Sequence, residues 1–532
     1  MEMQKFKKRI ALHFNLLNII GNFDNCISLS YLTWHFDYWH KQNVKGPRPQ
    51  LFKGTFPKSF AGQCSLIEEL HEIYIKYKTC ERCVGVFSRH VPKLFILDPV
   101  LAAEILTNNF TKFRVNESSK WVKKLVNKYT SSRVERLRVC SPFVSSGEEW
   151  RARRSDLAPI LSINRLRSYY ESMLESADQL VCFIERQNCT YLNAKELANR
   201  YTIHVMSKFI WGIEDKIFEN IHQKTPLHRM ADNMLEQALK CVSSYEKTFS
   251  WRILRPIRFF PKETDVFFQN LIKMLMNQRE ESPEKRTNDV VSHLIAIKEK
   301  KSLNDEQIAG NTTTLLIDGF ETVAVVVSHC LLLLARNERV QTKLRATLNE
   351  NERVLSYDEL MNLRYLDQCI QETLRLFPPL TTLFKLCVES ITIKVNESGK
   401  YVNLKAGDCV YISSYSFHHD ANYFEYPENF WPERFNEELG GAKKFREMGV
   451  FLPFGDGPRM CPGLKLALSE IKVAIFKLVK NFIITPTENT RKDNRLEINS
   501  FLLSVKDCIE LNFHKIPKDT QTFPSVKSLR WL

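Results

Sequence analysis

The run Phe454-Gly455-Asp456-Gly457-Pro458-Arg459-Met460-Cys461-Pro462-Gly463 sets one cysteine in a loop rich in glycine and proline. Directly after it, residues 464–480 carry apolar side chains at helical spacing. A cysteine at such a junction sits where the unpaired backbone N–H groups of a helix start converge, and those groups favour a thiolate. The glycines let backbone come close to a bound group, and Arg459 offers a guanidinium that matches a carboxylate. A free structural cysteine explains Cys461 but none of these neighbours.

The rest of the chain narrows the setting. Its 532 residues hold 76 Lys and Arg against 61 Asp and Glu, a net charge of +15, with 44% hydrophobic residues. That composition excludes a disordered chain. Only 17 glycines and 21 prolines exclude a fibrous or linker-dominated protein and favour helices over tight turns, and 35 phenylalanines suit a large apolar interior or pocket. The basic balance admits nucleic acid, a membrane surface or an acidic protein as partner. Fourteen cysteines without framework spacing point to a reducing compartment rather than a disulfide scaffold. Cys80 and Cys83 form a CxxC with no second pair at zinc-ligand spacing, so both read as ordinary residues.

Three stretches divide the chain. In residues 1–34, Lys5, Lys7, Lys8 and Arg9 precede an apolar run broken by Asn15, Asn18, Asn22, Asp24 and Asn25, which reads as a poorly formed, membrane-associated anchor. Residues 35–57, with Gly46-Pro47-Arg48-Pro49, read as a stiff connector, and residues 58–532 as one large domain. Helical periodicity over 66–77, 193–212, 228–240, 265–277, 305–335 and 357–377 outweighs strand signals at 410–412 and within 491–513, which predicts a mainly α fold with a minor β sheet. Residues 314–334 are apolar almost all round, but Asp318, Glu321, Thr322, Ser328 and His329 argue for a central buried helix rather than a membrane span.

Phe454, Gly457, Arg459, Cys461 and Gly463 match every defining position of F-x-x-G-x-R-x-C-x-G, so the chain resembles the cytochrome P-450 family. Further patterns follow that family's order. Glu372 and Arg375, three apart, meet on one helical face. Pro432-Glu433-Arg434-Phe435 is similar to its PERF-like box, and the resemblance implies that Glu372, Arg375 and Arg434 form a buried network supporting the haem loop. Residues 147–154 resemble its W-x-x-x-R helix start, which would let Trp150 and Arg154 reach one haem propionate through an indole N–H and a guanidinium. His418-His419-Asp420 falls in a structural stretch and receives no ligand role.

Asp318-Gly319-Phe320-Glu321-Thr322 resembles the central-helix motif [AG]-G-x-[DE]-T, in which a small residue makes room over the iron and the acid–alcohol pair relays protons. Gly319, Glu321 and Thr322 match, whereas Asp318 stands where the family has Ala or Gly. Asp318 and Thr322, four apart, share a face, which puts a carboxyl beside the dioxygen site, and desolvation there favours its neutral form.

The resemblance implies a single haem-thiolate catalytic domain that holds haem b, iron protoporphyrin IX, with Cys461 as the axial metal ligand. Arg459, Phe454, Gly455, Gly463, Trp150 and Arg154 would bind the cofactor, and Thr322, Glu321 and Asp318 would be catalytic. The implied reaction is monooxygenation of a lipophilic substrate such as a xenobiotic, insecticide, hormone or lipid, most like that of microsomal insect members. A haem-thiolate isomerase or dehydratase, or a haem-containing binding protein without turnover, is the alternative. No dinucleotide or Walker motif is present in the sequence, so electrons are expected from an NADPH-dependent cytochrome reductase, with cytochrome b5 as an optional donor and no nucleic-acid partner. Arg151, Arg153, Lys443, Lys444, Arg446 and Lys465 offer that reductase a basic face. Residues 250–261, aromatic and basic, suit a second membrane contact. The expected location is the endoplasmic reticulum or microsomal membrane with the catalytic domain on the cytosolic face, and mitochondria are the alternative. Substrate contacts are expected from 115–143, 228–238, 310–322, 380–386 and the turn near Phe501.

Overall fold

A reciprocal cap opens the longest described helix: the Asn304 side chain accepts the Gln307 N–H at 2.8 Å, and Gln307 Oε1 accepts the Asn304 N–H at 2.9 Å. The computed structural model describes residue 33 and residues 35–117, 145–187, 191–247, 261–281, 288–350, 354–396, 398–498, 500 and 502–517; of 238–247 only the backbone is described. The expected anchor apart from residue 33, most of the aromatic and basic stretch at 250–261, the substrate segment 118–143 and Phe501 lie outside these residues.

From that cap the central helix Asp305–Arg336 runs through the interior, and every side chain from Val323 to Ala335 is buried. Its apolar character therefore serves a protein core. The helix Ala194–Trp211 lies along it, and their approach is set at Gly319. A Cβ there would stand 2.4 Å from Met206 Cε, so Gly319 makes room for a neighbouring helix.

Three small sheets accompany the helices among the described residues. The largest orders Cys83–Ser88, Val91–Ile96, Cys409–Ser413, Thr382–Leu386 and Val115–Asn116. Only Val91–Ile96 and Cys409–Ser413 run parallel in it, with Phe95 opposite Tyr411. Glu510–Lys515 pairs with both Phe482–Pro486 and Leu192–Asn193, which gives the strand signal in 491–513 its partners. The stretch 357–377 is two helices, Tyr357–Met361 and Arg364–Leu376, rather than one. Leu363 takes an extended conformation between them, where Asn362 ends the first helix.

Residues 35–57 pack against the body of the protein. Trp39 and Phe56 are buried, the Trp39 indole N–H donates to the Val86 carbonyl at 3.2 Å, and Gly85 N–H donates to the Lys45 carbonyl at 2.8 Å. The aromatic residues in this stretch dock it onto the first strand, against the stiffness that its glycine and prolines suggest. Cys80 is exposed and Cys83 buried, and no group of three metal-binding side chains occurs among the described residues.

Candidate active site

The cysteine loop is folded by its own backbone. Gly455 N–H donates to the Leu452 carbonyl at 3.0 Å, and Cys461 N–H returns to the Phe454 carbonyl at 3.0 Å. Phe454 is partly buried against the core. Gly457 has φ +68°, and a Cβ there would lie 2.0 Å from the Leu106 carbonyl oxygen, so this glycine is required by the neighbouring helix end. Beside Gly455 nothing lies within 4 Å of a Cβ position, and at Gly463 the nearest atom is Cys461 Sγ at 3.9 Å. The helix Leu464–Asn481 starts at Gly463 with no side-chain cap.

Burial pushes the Cys461 thiol up to about 11, with the charge of Asp318 adding to it and the Gly463 N–H and Arg154 working against it. The Gly463 N–H favours the thiolate, as the sequence reading has it, but burial outweighs it. A metal cation at the sulfur would reverse that balance, because coordination deprotonates a thiol outright.

Beside the loop stands a group of cations. Arg154 donates from Nη1 to the Met460 carbonyl at 2.8 Å. Arg459 donates to the carbonyls of Arg114 at 3.1 Å and Ser145 at 3.0 Å, and its guanidinium carbon lies 4.1 Å from the centroid of the buried Trp150 ring. The structure thus brings Trp150, Arg154 and Arg459 together, with Trp150 as the floor under Arg459. Sequence reasoning missed the third cation, Lys385. It is 6% exposed, its Nζ bonds the neutral amide of Asn116 at 3.0 Å, and burial plus the charge of Arg459 lower it to about 8. Its one sequence signal is a lysine inside an apolar strand, Thr382–Leu386. Neighbouring cations of this kind, bonded to carbonyls and an amide, fit a cofactor that carries carboxylates. With the partly accessible Cys461 beside these cations, the residues present fit iron protoporphyrin.

On the central helix the two carboxyls diverge. Thr322 Oγ1 donates to the Asp318 carbonyl at 2.7 Å, whereas Glu321 turns away to the Lys195 ammonium, 2.6 Å from Oε1. Consecutive helical residues point about 100° apart, so Glu321 and Thr322 take different partners. Burial raises the Glu321 carboxyl and Lys195 opposes it; its Oε2 is buried without a hydrogen-bond partner. The Asp318 side chain is accessible, and desolvation by the protein around it lifts its carboxyl to about 7.

Behind the loop, Arg375 donates to both Glu372 oxygens at 2.8 Å and Arg434 Nε to Glu372 Oε1 at 3.0 Å. His418, which received no role from the sequence, links this triad to the loop. Its Nδ1 lies 3.1 Å from the Arg375 carbonyl, its Nε2 accepts the Leu452 N–H at 2.9 Å, and its own carbonyl accepts from Arg375 at 2.9 Å. Burial holds this imidazole neutral, well below its ordinary pKa, as a ring that must accept at Nε2 requires. Of the expected basic face, Arg151, Lys443, Lys444, Arg446 and Lys465 are exposed. Arg153 is corrected: it is buried and bonded to Glu149 at 2.8 Å, one helical turn away.

A mainly helical fold with a cysteine loop suited to iron and a cation group suited to propionates defines a haem-thiolate protein. The family model described as Cytochrome P450 matches residues 46–512, and the chain belongs to that family. It is 35% identical over 491 residues to "Probable cytochrome P450 28d1" of Drosophila melanogaster, covering 91% of this chain and 95% of that one. It is 36% identical over 490 residues to "Probable cytochrome P450 28d2" of the same fly, with 91% and 95% covered. With "Cytochrome P450 6j1" of Blattella germanica it shares 25% identity over 500 residues, covering 92% and 95%. As a cytochrome P450 it is a monooxygenase that carries haem held by a thiolate.

Proposed function

We propose that this protein inserts one oxygen atom of O2 into a lipophilic substrate, with the other atom reduced to water by two electrons from NADPH and two protons. The supporting observation is that Trp150, Arg154 and Arg459 gather beside the Cys461 loop, where the iron and the propionates of one haem would be held together.

When bound, the haem supplies the centre at which dioxygen is reduced and split, aided by electron density from the thiolate. The protein's own residues hold and serve that centre. Cys461 ligates the iron, Arg154, Arg459 and Lys385 pair with propionates, and Phe454, Gly455 and Gly463 border the sulfur. Glu372, Arg375 and Arg434, through His418, keep the loop in place. Thr322 and Asp318 hold protons on the face toward the iron. Glu321, paired with Lys195, exchanges protons at the edge of that face.

A separate NADPH-dependent flavoprotein reductase supplies electrons, with cytochrome b5 as an optional donor; exposed Arg151, Lys443, Lys444 and Lys465 near the loop suit an acidic partner. The protein associates with the endoplasmic reticulum membrane through residues 1–34, with the catalytic domain in the cytosol. The deciding experiment supplies labelled dioxygen, NADPH and reductase to the purified protein with a panel of lipophilic compounds. Product carrying one labelled oxygen, formed only when both NADPH and reductase are present, is expected. Product formed without them would place the protein with the isomerases or dehydratases.

A further inference from the structure

Asp318 is a carboxyl on the reacting face of the central helix to which the protein gives no cation. It shares that face with Thr322, one turn on, and the Thr322 hydroxyl is spent on the Asp318 backbone carbonyl at 2.7 Å. Lys195, on the neighbouring helix Ala194–Trp211, is taken by Glu321 at 2.6 Å. Arg154 and Lys385 are turned to the Met460 carbonyl and the Asn116 amide. Among the described residues the Asp318 carboxyl has neither an ion pair nor a hydrogen bond, and its side chain is accessible at a place where the surrounding protein desolvates it. One turn earlier on the same face stand Thr314 and Leu315, neither of them charged.

A carboxyl in a low-dielectric site is penalised when an apolar ligand displaces its water, and favoured when the ligand brings a cation. We propose that Asp318 anchors lipophilic ligands that carry a cationic nitrogen, such as protonated amines, and thereby sets the substrate class of this site. The proposal rests on the haem-thiolate reading of the site. It adds to that reading a charge preference contributed by one side chain. Because burial alone raises this carboxyl to about 7, a cation beside it also favours its ionised form, so anchoring and deprotonation reinforce each other.

The test uses the full-length, haem-loaded protein and two ligands of nearly equal shape. One is a phenylbutyl trimethylammonium ion, which has no lone pair and so cannot bind iron through nitrogen. The other is the neutral hydrocarbon with a tert-butyl group in place of the ammonium. Binding is read by calorimetry, and each variant's reduced carbon monoxide spectrum is recorded alongside. The wild type is expected to bind the cation about tenfold more tightly than the hydrocarbon, a typical size for a desolvated charge pair. Asp318→Asn and Asp318→Ala are expected to bring the ratio close to one while the carbon monoxide band persists. Equal binding of the two ligands by the wild type, or an undiminished preference in both variants, would overturn the proposal. Loss of the band in the wild type would instead overturn the haem-thiolate reading beneath it.

Discussion

Glu372 accepts four hydrogen bonds, from Arg375, Arg434 and the Trp431 N–H, whereas the Asp318 carboxyl accepts none from the described residues. The first carboxylate belongs to a region in which buried charge is matched by buried charge. Around the second, polar groups are left for something other than the protein: Asp318 without a cation, Lys385 on a neutral amide, Glu321 Oε2 without a donor. A folded chain tolerates such unmatched groups where a bound partner completes them. The contrast separates the scaffold of the site from its working surface better than burial does.

The largest effect is expected on the matched side. Glu372→Ala leaves two buried guanidinium groups without their anion and is expected to cost about 3–5 kcal/mol in denaturant unfolding, with haem lost on gel filtration. An unchanged midpoint would remove the triad from the scaffold. On the unmatched side, Lys385 carries a pH signature. Its folded pKa lies at about 8, below the reference 10.5, so from 8 to 10.5 the unfolded chain binds more protons and stability rises with pH. The penalty, on the order of 3 kcal/mol, is full below pH 8. Haem-free protein is expected to show this rise and Lys385→Met to lack it, and bound haem is expected to flatten it in the wild type by supplying the missing anion.

Smaller effects sharpen the contrast along the central helix itself. Gly319→Ala drives a methyl into Met206 and is expected to cost about 1–3 kcal/mol. Met206→Ala in the same chain should recover part of that loss; no recovery would mean that another contact holds the glycine. Asp318→Asn should do the reverse of a scaffold mutation. The folded carboxyl keeps its proton up to about 7, against 3.8 for the reference group, so its favourable contribution is present below 3.8 and lost as pH rises through 7. The variant is therefore expected to gain stability of order 1 kcal/mol above pH 7, reduced by water reaching the side chain, and nothing at low pH.

The parts of this molecule written in local sequence were legible in it. Helical spacing located the central helix, the helix Leu66–Tyr77 to its ends, and the helix after the cysteine, and the loop around Cys461 carried the family. What sequence could not supply was which long-range partner each group meets. Trp39 docks on a strand that begins more than forty residues later. Lys385 meets Arg459 only through the folded sheet and loop. His418 joins Arg375 to Leu452 because three separate segments converge. Glu321 and Thr322 are neighbours in sequence, and the helical rotation between them gives them the partners Lys195 and the Asp318 carbonyl. Nothing in the sequence announces that Met206 stands beside Gly319.

The central claim is that Cys461 ligates haem iron as a thiolate although burial alone keeps its sulfur protonated. A reduced carbon monoxide difference spectrum of the purified full-length protein tests it most directly. The account predicts a Soret band at the red-shifted position that names the family, present in wild type and Asp318→Asn and abolished in Cys461→Ser. A folded, haem-loaded wild type without that band, or a Cys461→Ser variant that retains it, would contradict the account.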